Sequence, residues 1–249
     1  MHDIALDVSG KEIFYATDTS TGILDKKVRH LHVYGHYSLF GKTQIRSHLH
    51  VYAGIMKKDA HFLVEAIVAN CRFLRALDLR WVGIESLPYI GELLHLRYLD
   101  LSHNTSLQVL PKSFTKLYNL QTLKLNWCSS LRELPKDLSR LVKLRFLDVE
   151  ECDNLTYMPE GMGKLSSLHR LSDFKVGGGG ISSSWEQWFD SLDDLKALNK
   201  LKGRLKITIR WPKRERNIVK EDGDKREGLY MRNKEHLNGL YMMEERMKS

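Results

Sequence analysis

The sequence predicts an α/β fold: a solenoid with a curved parallel sheet, an irregular or helical convex side and a short helical remnant at its N-terminus. Three observations carry this. The segment LRALDLRWVGIESLP from Leu74 returns as LRYLDLSHNTSLQVLP from Leu96, LQTLKLNWCSSLRELP from Leu120 and LRFLDVEECDNLTYMP from Leu144, at spacings of 22, 24 and 24 residues. Each copy alternates apolar and polar residues over a few positions, as a half-buried strand does. The pentapeptide HLHVY occurs twice, at 30–34 and 48–52.

The shared pattern, LxxLxLxxN/C followed by (I/L)xx(L/M)P, is that of a leucine-rich repeat, and every symbol has a physical reason. In Leu96-Arg97-Tyr98-Leu99-Asp100-Leu101, alternation points Leu99 and Leu101 inward and Tyr98 and Asp100 outward. Asn104, with Cys128 and Cys152 at the equivalent positions, stands where the strand turns, so its side chain is expected to satisfy backbone groups that the turn leaves unpaired. Pro88, Pro111, Pro135 and Pro159 end strand pairing. Phe114/Leu117, Leu138/Leu141 and Met162/Leu165 then return apolar groups to the interior. No rung buries its leucines alone; stacked neighbours do.

The two pentapeptides read as degenerate early rungs, with Leu31, Val33, Leu49 and Val51 inward. His30, His32, His48 and His50 then share the outer face. Strands about 4.8 Å apart would let four imidazoles converge on a zinc ion, but exposed polar side chains on a rung need none of the precise rotamers that a metal demands. No metal is expected. Histidine titrates near ~6.5, so protonated neighbours on this face would repel.

After Leu168 the pattern decays. Gly177 to Gly180 and Ser182 to Ser184 read as a flexible connector. Ser184 and Gln187 suit a capping box, and Trp185, Trp188, Phe189, Leu192, Leu195 and Leu198 recur at helical spacing, so a helix against the solenoid follows, ended by Gly203. Leu205 to Ile209 resumes strand alternation, and Arg210 to Gly228 is a charged loop.

Of the 249 residues 42% are hydrophobic and 28% charged, enough for a core and a wetted surface. No membrane span or secretory segment is read, so a cytoplasmic address is expected. Three cysteines, Cys71, Cys128 and Cys152, lack disulfide or zinc spacing and read as buried thiols. From Lys202 onward 14 Lys/Arg face 8 Asp/Glu, most of the net charge of +8. That segment, to Lys248, with Trp211 and Tyr230 for stacking, is the alternative reading as a nucleic-acid surface; interspersed Glu221, Asp222 and Asp224 favour a solvated loop.

Catalytic motifs are missing. Gly35 to Thr43 resembles a phosphate loop, but five residues separate Gly35 from Gly41 where that motif has four. Neither GxSxG nor HExxH occurs, and Asp78, Asp100 and Asp148 recur at the repeat period, which makes them one face. No enzyme is expected. The concave face instead offers Trp81, Tyr98, Asp100, His103, Lys124, Asn126, Trp127, Phe146, Asp148 and Glu150, aromatics beside charges, as a protein-binding surface.

Several segments together, MHD at the start, IALDVSGKE, LRYLDLSHN, the LP-containing repeats, LHRLSDFKVGGG and ALNKLKGRLKI, resemble the C-terminal part of plant disease-resistance proteins of the coiled-coil, nucleotide-binding, leucine-rich-repeat type. The similarity covers essentially the whole chain. By that resemblance Met1, His2 and Asp3 are the triplet whose histidine sits beside the phosphate of ADP. The P-loop of the intact family is not among these residues, so ADP or ATP belongs to the intact family and no cofactor is expected here. The resemblance implies a sensing and autoinhibitory module of plant defence, in a truncated paralogue that keeps the partner-binding half. Its partners would be a pathogen effector, a guarded host protein, or the nucleotide-binding part of a related receptor. The expected organisation is a winged-helix remnant at 1–24, the solenoid at 25–176, a Gly/Ser linker at 177–184, and an amphipathic helix, further degenerate repeat and basic tail at 185–249.

Overall fold

Short β-favouring runs bounded by turn residues can pair only with their equivalents in the next rung, and the computed structural model shows that pairing. It describes residues 13–16, 30–34, 48–52, 60–177, 193–211 and 237–246. Strands β1 (Ile13–Ala16), β2 (His30–Tyr34), β3 (His48–Tyr52), β4 (Ala76–Asp78), β5 (Tyr98–Asp100), β6 (Thr122–Lys124), β7 (Phe146–Asp148) and β8 (Arg170–Leu171) form one parallel sheet in sequence order. The sheet therefore already includes Ile13–Ala16, paired with His30 to Val33, inside the segment expected to be a helical remnant. Residues 1–12, with the MHD triplet, lie outside the described residues.

Register explains the repeat. Leu49, Leu77, Leu99, Leu123, Leu147 and Leu171 are aligned in one column, all buried. Leu79, Leu101, Leu125 and Val149 form the next inward row, fully buried. Each such side chain contributes roughly 1.5–3 kcal/mol by leaving water, which no isolated rung could gain. On the opposite side the chain returns through 3₁₀ turns at Ile90–Glu92, Lys112–Lys116, Leu138–Arg140 and Met162–Lys164. These bury Phe114, Leu117, Leu138, Leu141, Met162 and Leu165 as the spacing predicts. Successive turns lie close: a Cβ on Gly91 would stand 2.0 Å from the Ser113 carbonyl oxygen.

The connection before β4 is different, an α-helix α1 (Ala60–Asn70) that sequence analysis did not assign. Leu63, Val64, Ile67 and Val68 bury one side of it while Phe62 stays exposed.

Ser172 alone separates β8 from β9 (Asp173–Gly177), where pairing shifts to a second parallel sheet ordered β11 (Leu237–Arg246), β10 (Gly203–Trp211), β9. At this junction Asp173, Lys175 and Thr208 are buried. The Asp173 carboxylate accepts from Thr208 Oγ1 at 2.9 Å and pairs with Lys175 Nζ at 3.3 Å, and Lys175 donates to the Cys152 carbonyl at 3.0 Å. The expected strand at Leu205 to Ile209 is β10; β11 was not foreseen.

Residues 193–197 are helical, with Leu195 and Leu198 buried, while the linker beyond Gly177, the Ser184 cap and the aromatic part of the stripe lie outside the described residues. Gly203 does not end this helix. It opens β10 at φ 85, a left-handed conformation glycine adopts without steric cost.

Candidate recognition surface

Two outward columns run across the strands. Ala76, Tyr98, Thr122, Phe146 and Arg170 are in register, as are Asp78, Asp100, Lys124 and Asp148. Past the strand ends the chain turns at Trp81, His103, Trp127 and Glu151, all at φ between 56 and 64. A left-handed conformation costs a non-glycine residue roughly 1–2 kcal/mol, so a recurrent one calls for compensation.

Three of the four positions supply it by stacking. The Trp81 and His103 rings lie 3.9 Å apart between centroids, and His103 and Trp127 5.9 Å apart, each pair within 9° of parallel. Such pairs are worth about 0.5–1.5 kcal/mol beyond the area they bury. The left-handed turn lifts each ring beyond the strand edge, and one-rung spacing sets the rings face to face. Their edges remain open: Trp81 is 60% and Trp127 51% exposed.

Asp100 corrects an expectation. Alternation places it outward, but its neighbours close over it and it is 1% exposed, so it cannot meet a partner directly. It organises the surface instead. Tyr98 OH donates to its Oδ2 at 2.9 Å, Ser102 donates its backbone N–H and its hydroxyl to Oδ1, and Arg80 Nε and Lys124 Nζ lie 3.6 and 3.8 Å from Oδ2. Ser102 Oγ also contacts Asn126 Oδ1 in the next rung. Asp78, likewise buried, holds Arg80 through Nε–H and Nη2–H at 3.0 and 2.8 Å. The hydrogen bond to Asp78 raises the Arg80 pKa; burial first, then the Asp100 charge, raises that of Tyr98. Tyr98 is thus a neutral donor and Arg80 a fixed cation. Arg80, two residues from Asp78, lies in the same repeat column as Ser102, Asn126 and Glu150, and the ion pair with Asp78 fixes it on this face.

Lys124 and Asn126 are half-buried beside Trp127, and Phe146, Glu150 and the half-buried Asp148 continue the surface. Glu150 N–H donates to Asp148 Oδ1 at 3.3 Å.

Beneath the turn, Asn104 makes four hydrogen bonds: Nδ2 donates to the carbonyls of Leu79 and Leu101 at 2.9 and 2.7 Å, and Oδ1 accepts from Gly83 and Ile84 at 2.8 and 2.9 Å. Cys128 and Cys152 repeat one of these, each thiol donating to the carbonyl of the preceding rung at 3.2 and 3.0 Å. Burial pushes both thiols up to about 12, which leaves them protonated and unreactive at neutral pH.

Other candidates stand apart from this surface. The backbone aligns His30 with His48 and His32 with His50, but their side chains lie outside the described residues. So do those of Trp211 and Tyr230 in the basic segment.

The chain matches the family described as leucine-rich repeat region over residues 52–221. It is similar to the solved leucine-rich repeat domain of the type III effector XopL, with 20% identity and a TM-score of 0.53 over 82% of this chain and 71% of that one, a likeness of fold. It is also similar, at 18% identity and a TM-score of 0.36, to a leucine-rich repeat protein of Leptospira interrogans, over 88% of this chain and 73% of that one. No curated protein matches it.

Proposed function

We propose, from the premise that this chain belongs to the leucine-rich repeat region family, that it is a non-catalytic protein-recognition module whose partner meets the strand face and the stacked rim. The observation that carries this is the row of open aromatic edges at Trp81 and Trp127 beside Arg80, Lys124 and Glu150. Rigid indoles offer contact area at low entropic cost, and charges held from below by Asp78 and Asp100 need no reorganisation on binding.

The finer reading is a sensing and restraining module of the plant disease-resistance type, acting in the cytoplasm. It rests on the order of segments from MHD through LHRLSDFKVGGG. Candidate partners are a pathogen effector, a guarded host protein or the nucleotide-binding part of a related receptor. Affinity capture with the full chain and quantitative mass spectrometry test the surface. A specific partner should be lost with Trp81→Ala/Trp127→Ala and with Tyr98→Ala but retained with Val109→Ser. A partner indifferent to all the strand-face changes would overturn the assignment. Co-expression with the nucleotide-binding part of a related receptor tests restraint separately, through suppression of that receptor's activation.

A further inference from the structure

The entry side of the strands carries two columns that the proposed recognition surface does not use. Arg75, Arg97 and Arg145 stand immediately before β4, β5 and β7, with Gln121 at the same position before β6. Each backbone carbonyl in this column receives the N–H of the next rung, Arg97 to Arg75 at 2.7 Å, Gln121 to Arg97 at 2.8 Å and Arg145 to Gln121 at 2.8 Å. With rungs roughly 4.8 Å apart, Arg75 and Arg97 are on neighbouring rungs and Arg145 is two rungs beyond Arg97, past Gln121. All three are exposed, and none takes part in an ion pair among the described residues.

Three residues before Arg97, Gln121 and Arg145 stand Leu94, Tyr118 and Val142, which remain 48%, 45% and 51% exposed. The turns closed by Leu96 N–H to Leu93, Leu120 to Leu117 and Leu144 to Leu141 keep each apolar residue on the same rim as its polar neighbour. A largely apolar row, in which Arg140 lies 5.9 Å from the centre of the Tyr118 ring and donates to its hydroxyl at 3.4 Å, thus runs parallel to a row of arginines without an ion-pair partner among the described residues.

We propose that this rim docks an acidic amphipathic segment of a partner protein, its apolar side chains on Leu94, Tyr118 and Val142 and its carboxylates on the arginines. Guanidinium groups pair with carboxylates bidentately, and the apolar row sets the segment's register. Nucleic acid fits less well, because phosphates would use the arginines and leave Leu94 and Val142 without a counterpart. The same rim of a second copy brings like charge to like charge.

Fluorescence anisotropy with the full chain tests this. The probes are a labelled Glu/Leu peptide of amphipathic pattern, a scrambled peptide of equal composition, and a single-stranded oligonucleotide. The patterned peptide should bind best. Its affinity should fall about tenfold or more with Arg97→Glu/Arg145→Glu, fall several-fold with Tyr118→Ser, and stay unchanged with Trp81→Ala/Trp127→Ala. Arg97→Gln/Arg145→Gln, which removes charge without reversing it, should give an intermediate loss, and thermal melts of these exposed-site variants should match the parent. Equal binding of the scrambled peptide, tighter oligonucleotide binding indifferent to Tyr118, or self-association lost with the same arginine variants would overturn the proposal. Because the strand-face variants are a separate arm, its failure is distinguishable from failure of the reading above.

Discussion

The Trp81 and His103 rings stack 3.9 Å apart while both residues hold left-handed backbone at φ 63. The two facts support each other. The left-handed turn sets the rings at equivalent places on successive rungs, and contact between rungs offsets part of the cost of a conformation that their Cβ atoms disfavour. The rim is a property of neighbouring rungs, and no single repeat contains it.

This gives a test by glycine. Glu151 shares the left-handed turn, at φ 56, without a stacked ring, so Glu151→Gly relieves strain and loses little. His103→Gly relieves the same strain but removes two ring contacts. Glycine also loses about 0.5–1 kcal/mol more chain entropy on folding in either variant. Urea unfolding should therefore leave Glu151→Gly within about 1 kcal/mol of the parent and place His103→Gly about 1–2 kcal/mol below it. Equal midpoints would mean that the stack contributes nothing to stability.

Asn104 concentrates four hydrogen bonds in one buried side chain. Asn104→Ala leaves the Leu79 carbonyl and the N–H groups of Gly83 and Ile84 without this partner in a buried turn, while the Leu101 carbonyl keeps the Cys128 thiol; the change should cost about 3–5 kcal/mol. Asn104→Cys imitates the two following rungs, where one thiol suffices, and should cost less than half as much. The unfolding midpoints of the two variants decide it; if they coincide, the four bonds are not acting as the geometry implies.

What was legible in the sequence is what repeats. The leucine columns, the 3₁₀ returns and the Asn/Cys position follow from a period and an alternation, because identical rungs face identical neighbours. The burial of Asp100 was not legible, since alternation gives a side chain's direction and not whether Tyr98, Ser102, Arg80 and Lys124 will enclose it. Helix α1 escaped because, among the described residues, it has no equivalent in the other rungs. The shift of pairing at Ser172 escaped because it depends on a buried Asp173, Lys175 and Thr208 network assembled from strands 35 residues apart. The arginine and Leu94/Tyr118/Val142 columns recur at the repeat spacing, but spacing alone does not say that these side chains stay exposed.

The buried thiols predict an alkaline limit to stability. An unfolded thiol titrates near ~8.5, and burial pushes Cys128 and Cys152 up to about 12 in the fold. A raised pKa means that each thiol's contribution is fully present below ~8.5 and is lost as pH climbs toward 12. By pH 10 the loss should be about 2 kcal/mol per thiol. Unfolding free energy measured at pH 8 and 10 should therefore fall more steeply for the parent than for Cys128→Ser/Cys152→Ser, whose hydroxyls do not titrate. Parallel slopes would place these thiols in water, and iodoacetamide at pH 8 should then label them without unfolding.

One carboxylate ties the helical residues 193–197 to the turn at Met162–Lys164. Asp194 reaches from the helical residues 193–197 to accept N–H bonds from Gly161, Met162 and Gly163 at 2.7, 3.1 and 3.0 Å, where Gly161 at φ 78 turns the three amides together. Charge-assisted bonds of this kind contribute about 1.5–3 kcal/mol, enough to decide whether the 193–197 segment stays on the solenoid. Asp194→Ala should raise hydrogen exchange at these three amides by tenfold or more while leaving Leu99 and Leu123 protected. Gly163→Ala should do the same by another route, since its Cβ would lie 2.9 Å from the Ala197 Cβ and 3.0 Å from Asp194 Oδ1. If exchange at residues 161–163 is unchanged in both variants, the carboxylate is not what holds the segment there, and burial of Leu195 and Leu198 must suffice.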